Sequence, residues 1–145
     1  MIKDFDTILP AVLKVLESLE KSEFVFYPTG SRYFGNFNDF VSDWDFFVEN
    51  SPEVRAKLID LGFDYQDNHD YGYDVSITCV MRLHLSVGSD CYVDIQLISE
   101  TMIDTKIMAQ RILKDRYKHG GLPGEKKQRS ELWNVTMHAV QMLKT

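Results

Sequence analysis

The chain has 145 residues, of which 44% are hydrophobic and 12% aromatic, and it carries a formal net charge of −6 at pH 7. That is apolar material enough for a packed core and too little length for a second lobe, so one domain over residues 1–145 is expected. No apolar run approaches the ~18 residues that span a bilayer, the start has no basic-then-apolar leader, and the two cysteines, Cys79 and Cys91, lack metal-type spacing. A soluble protein of the reducing cytoplasm, with no membrane partner, is the expectation.

Periodicity predicts a helix over residues 7–20, with Ile8, Leu9, Val12, Leu13, Leu16 and Leu19 on one stripe and Pro10 tolerated in its first turn. Glu23–Tyr27 reads as a strand that stops at Pro28. Gly30 to about Gly35 reads as a turn leading into a short helix. Trp44–Glu49 is the next strand, and Ser51-Pro52-Glu53 caps a helix that ends at Gly62.

Residues 64–74 read as a loop or weak edge strand. A calcium loop there fails, because counting back from Gly72 puts His69 and Tyr71 where oxygen ligands belong. Ser76–Ser86 alternates, with Ile77, Cys79, Met81, Leu83 and Leu85 opposed to Thr78, Val80, Arg82 and His84. Cys91–Ile98 alternates again, with Val93, Ile95 and Leu97 opposed to Tyr92, Asp94 and Gln96. Two helices, about 104–118 and 130–143, flank the loop from Gly120 to Gly124. The fold class expected is α+β, a mixed α/β sheet flanked by helices with two helices at the C-terminus.

Charge is unevenly spread. Residues 106–129 hold eight basic side chains (Lys106, Arg111, Lys114, Arg116, Lys118, Lys126, Lys127, Arg129) against Asp115 and Glu125, a net +6 that leaves −12 elsewhere. A solvated helix face followed by a charged loop is one reading, and a docking surface for phosphate-rich or acidic partners is the other.

The chemistry concentrates in three acids. Asp43 and Asp45 flank Trp44 at a strand start, and residues i and i+2 of a strand point the same way. Asp94 lies mid-strand between Val93 and Ile95, where an unpaired acid is expensive. Carboxylates gathered in one partly buried site oppose each other's ionisation unless a cation compensates, and magnesium held with substrate phosphates is the usual compensation. Upstream, Gly30 permits a tight turn, while Ser31 and Arg32 open a short helix with donors and charge suited to phosphate. Two solvated acids at a strand end, and an edge-strand Asp94 facing water, are the competing structural readings.

Strand, Gly30-Ser31, eleven residues, Asp43-Trp44-Asp45-Phe46, and later Val93-Asp94-Ile95 together resemble the polymerase-beta-like nucleotidyltransferase superfamily, over about residues 23–98. The size is similar to its minimal nucleotidyltransferases; Trp44 is bulkier than the aliphatic usual at its position. The resemblance implies that Gly30 and Ser31, with Arg32 added, bind a nucleoside triphosphate. It also implies that Asp43 and Asp45 bridge two magnesium ions, with Asp94 helping to hold the one that activates an acceptor hydroxyl. The implied reaction transfers a nucleoside monophosphate, taken as AMP, to a protein, RNA or small molecule with release of pyrophosphate. The alternative is an antitoxin-like partner-binding module on the same fold.

Other residues receive smaller roles. Tyr33, Phe34, Phe37, Phe40, Trp44, Phe46 and Phe47 are read mainly as core, with Tyr33 or Tyr71 as candidate base contacts. Arg82 and Lys106 are read as surface residues able to assist phosphates. His69, His84, His119 and His138 form no ligand set, and Ser31 lacks the elbow and base of a hydrolase nucleophile.

Overall fold

The computed structural model describes residues 2–36, 43–66, 74, 76–87 and 89–144. Phe37, Phe40, His69 and Tyr71, and with them most of the rejected calcium loop, lie outside the described residues. The strands are β1 (Tyr27–Thr29), β2 (Trp44–Glu49), β3 (Asp64–Gln66), β4 (Ile77–Val87) and β5 (Ser89–Ile98). The helices are α1 (Ile2–Glu20), α2 (Gly30–Phe34), α3 (Pro52–Asp60), α4 (Ile103–Arg116) and α5 (Lys126–Leu143). The architecture is α+β: a mixed sheet ordered β1-β2-β5-β4-β3, in which β2 and β5 run parallel and the other neighbours antiparallel.

The alternation of β5 decides which face carries chemistry. Val93, Ile95 and Leu97 are fully buried against Val48, Val54, Leu58, Met81 and Leu19, so α1 and α3 cover that face. Each such side chain contributes on the order of 2 kcal/mol. A one-residue slip would turn all three outward and Asp94 into the core, so apolar burial fixes the register that holds Asp94 on the other face.

Local signals set most boundaries. Ser51 Oγ accepts from the Val54 amide at 3.1 Å, with Pro52 opening α3. α5 starts at Lys126 rather than near 130, because Glu125 and Gln128 form a reciprocal capping box, with Glu125 N donating to Gln128 Oε1 at 2.7 Å. Two further expectations need correction. α1 begins at Ile2, so Pro10 sits inside the helix and removes one of its amide donors. The first strand is Tyr27–Thr29, not Glu23–Tyr27, and Pro28 lies within it, paired with Phe46. An edge strand tolerates this because one of its sides has no ladder to complete. On that strand the Pro28 carbonyl accepts from Gln110 Nε2 of α4 at 2.9 Å.

The opposite face of the sheet is covered by α4 and α5, and a buried ion pair seats them. Lys106, read from sequence as a surface residue, is 1% exposed. Its Nζ donates to Asp74 Oδ2 at 2.6 Å and to Gln96 Oε1 at 2.8 Å, beside the rings of Phe47 and Trp133. Trp133 Nε1 of α5 donates to the same Asp74 oxygen at 2.8 Å, and the Ser76 amide and hydroxyl donate to Asp74 Oδ1. Burial pushes the Lys106 ammonium down from its ordinary range, and Asp74 offsets part of that fall. Burial would raise the Asp74 carboxyl, but the Lys106 charge and the hydrogen bonds from Lys106 and Ser76 outweigh it and hold it below its ordinary range. No helix among the described residues is long and apolar enough to cross a membrane.

Removing one partner of such a pair strands a buried charge. Lys106→Met should therefore cost about 3–5 kcal/mol in urea denaturation, and adding Asp74→Asn should recover part of the loss.

Candidate active site

Register places four polar residues side by side on the face beneath α4 and α5. Thr29 pairs with Asp45, Asp45 with Asp94, and Asp94 with Arg82. Directly paired residues point to the same side of a sheet, so two carboxylates adjoin in the centre of this row. Asp43, just before β2, joins them: its Oδ2 lies 3.6 Å from Arg82 Nη2.

The Gly-Ser turn reaches the same point. Gly30 opens α2 at φ +76°, and a Cβ built there would lie 2.5 Å from Asp45 Oδ2. Only glycine allows the backbone both that conformation and that approach. Ser31 is exposed and lines the cleft beside it. α2 has only five residues, so it carries little helix dipole, and what the turn offers an anion is its amides and the Ser31 hydroxyl.

These residues border a cleft of about 540 Å³. Its lining includes Gly30, Ser31, Asp43, Asp45, Asp94 and Arg82, and also Lys126, Arg129, Ser130 and Trp133 of α5. The last four stand at i, i+3, i+4 and i+7 and therefore share one helical stripe. Reciprocal hydrogen bonds between the Asn36 amide and the Leu122 backbone, 2.9 and 3.0 Å, tie the end of α2 to the loop before α5. Phe34 packs with Leu113, Leu122 and Trp133 to close that end.

The Arg32 guanidinium carbon lies 4.0 Å from the centre of the Trp44 ring, and its charge reaches Asp43 and Asp45. Arg82, expected at the surface, grips Asp94 with two bonds, Nε to Oδ1 at 2.7 Å and Nη2 to Oδ2 at 2.9 Å. Its Cζ lies 4.2 Å from the centre of the Tyr92 ring, which holds the guanidinium flat. Tyr33 packs edge-on against Phe34 and its carbonyl accepts from Lys114.

The basic span thus divides. Lys106 and Lys114 serve internal contacts, Lys126 and Arg129 line the cleft, and Arg111, Arg116, Lys118 and Lys127 are exposed. Lys126 and Arg129 were named from sequence only as part of the basic span, and Ser130 and Trp133 were not singled out. Their spacing carries the signal once the Glu125–Gln128 cap is taken as the helix start.

Electrostatics marks Asp45. Burial, then Asp94, then Asp43 raise its carboxyl, Arg82 and Arg32 oppose them, and the net result is a pKa pushed up to about 7 from 3.8. Asp43 is raised by burial and by Asp94, and lowered in part by Arg82 and Arg32. The pair offers hard oxygen donors on one face, which suits a divalent cation. Asp94 differs, since both its oxygens are held by Arg82. Among the described residues no set of three His, Cys, Asp or Glu side chains is arranged to hold a metal ion.

A raised carboxyl pKa makes the folded state bind a proton more tightly than the unfolded state, so Asp45 lowers stability as pH rises from about 4 to about 7. Asp45→Asn should therefore raise Tm by about 3 °C or more at pH 8, with the gain vanishing near pH 4 in thermal melts. Gly30→Ala should cost more than ~1 kcal/mol, and Asp45→Gly in the same chain should relieve its steric part.

No protein-family model matches the chain, and no curated protein or solved structure matches it significantly, so the chemistry of the cleft carries the functional reading.

Proposed function

We propose that the protein is a cation-dependent nucleotidyltransferase that moves a nucleoside monophosphate, taken as AMP, from a nucleoside triphosphate to a hydroxyl acceptor. The observation that carries this reading is the approach of the Gly30-Ser31 turn to Asp45, 2.5 Å from Oδ2 to the position a Cβ would take. A phosphate-binding turn set directly against paired carboxylates is an arrangement that neither a plain core nor a solvated strand end calls for. The cleft, about 540 Å³, falls within the ~300–1,000 Å³ common for small-molecule sites.

The chain's own groups divide the work. The Gly30-Ser31 turn and the Lys126 and Arg129 side chains bind and orient the polyphosphate. Asp43 and Asp45 would hold the divalent cation, which supplies neutralising charge between these acids and the phosphates. In the transfer, the acceptor oxygen bonds to the α-phosphorus and the bond to the bridging α–β oxygen breaks. Pyrophosphate leaves, and the hydroxyl proton passes to solvent.

Incubation with each α-labelled nucleoside triphosphate, magnesium and host-cell lysate tests this. Label should enter an acceptor with the wild type and fall by at least ~100-fold in Asp43→Asn/Asp45→Asn. Equal labelling by the double variant overturns the mechanism. Absence both of labelling and of a thermal shift with ATP and magnesium overturns the transferase and leaves a partner-binding module.

A further inference from the structure

Arg82 alters how the site takes cations. Asp94 has both oxygens in short, charge-assisted bonds to one guanidinium, which is also stacked on Tyr92 and 3.6 Å from Asp43. A bidentate, stacked arginine is pre-organised and always charged, so it is a fixture of the site rather than a counter-ion that comes and goes. A divalent ion placed on Asp94 would stand within a few ångströms of that guanidinium and be repelled by it. Charge counting points the same way. Asp43, Asp45 and Asp94 with Arg82 leave at most two negative charges, no more than one divalent ion neutralises, while Asp74 and Lys106 cancel each other. Arg32, stacked on Trp44, is a further and weaker opposing charge on Asp43 and Asp45.

We infer that Arg82 is a resident cation of the cleft, standing in for a second divalent ion, so that the free protein takes one such ion, on Asp43 and Asp45. This rests on the cation-dependent reading above and replaces the two ions that the family resemblance implies. Arg82 is a positioning and specificity-determining residue: it holds Asp94 and sets the metal count.

Titration of the nucleotide-free protein with Mn2+, followed by the electron paramagnetic resonance signal of the free ion, reads that count directly. One ion per wild-type chain is expected, none in Asp45→Asn, one in Arg82→Lys, and two in Arg82→Gln, whose apparent affinity should tighten about 10-fold. Two ions in the wild type overturn the inference and leave the transferase reading standing. No ion in the wild type also overturns the inference, while the transferase reading, in which the cation sits between the acids and the phosphates, is decided by the labelling experiment. One ion in a folded Arg82→Gln, checked by circular dichroism, shows that Arg82 is not what limits the count. Should Arg82→Gln fail to fold, the wild-type count decides alone.

Discussion

A lysine with 1% of its surface exposed must have a counter-charge, and much of this structure follows from supplying Lys106 with one. An unpaired buried ammonium costs several kcal/mol. Asp74 meets that demand and then takes Ser76 and Trp133 as further donors, so the start of β4, the first turn of α4 and the first turns of α5 converge on one carboxylate. Once Trp133 is fixed, the stripe it shares with Arg129 and Lys126 is fixed as well, because they lie on one rigid helix. The cleft therefore takes its basic wall from an interaction at its floor.

The acidic side of the cleft is built on the opposite logic. Lys106 and Asp74 form a satisfied pair, whereas Asp45 is left with two carboxylate neighbours and a pKa near 7. A chain selected for stability alone would replace one of these acids. Keeping all three stores unfavourable electrostatic energy that a cation bound there, as proposed, would release, so that its binding and folding would be coupled through the same side chains. Arg82 limits the stored amount by neutralising Asp94, and the surplus falls on Asp43 and Asp45.

How much of this could be read in advance depends on the range of each determinant. Elements governed by neighbours in sequence were legible: β2 falls on Trp44–Glu49, Ser51-Pro52 opens α3, and the alternation of β5 put Asp94 opposite the core. The adjacency of Asp45 and Asp94 was foreseen only in outline, from the strand types and the resemblance to a nucleotidyltransferase pattern. What stayed hidden depends on long-range pairing. Arg82 alternates correctly with the polar face of β4, but nothing local says that Asp94 will sit across the ladder from it. Lys106 is separated from Asp74 by half a sheet and the start of a helix, and in the sequence it looks like any other charge in a basic run. Pro28 misled for a related reason, since a strand boundary was inferred from a residue that an edge position tolerates.

That edge position has a consequence for assembly. A sheet grows when an outer strand offers free donors and acceptors to another chain. β1 is three residues long; Pro28 at its centre has no amide hydrogen, and the Pro28 carbonyl is already occupied by Gln110 of α4. The opposite margin, β3, is equally short. Among the described residues, neither β1 nor β3 is long enough to present an extended row of unpaired peptide groups, so each offers strand-by-strand polymerisation little template. The same proline that obscured the strand in the sequence helps to keep the sheet finite.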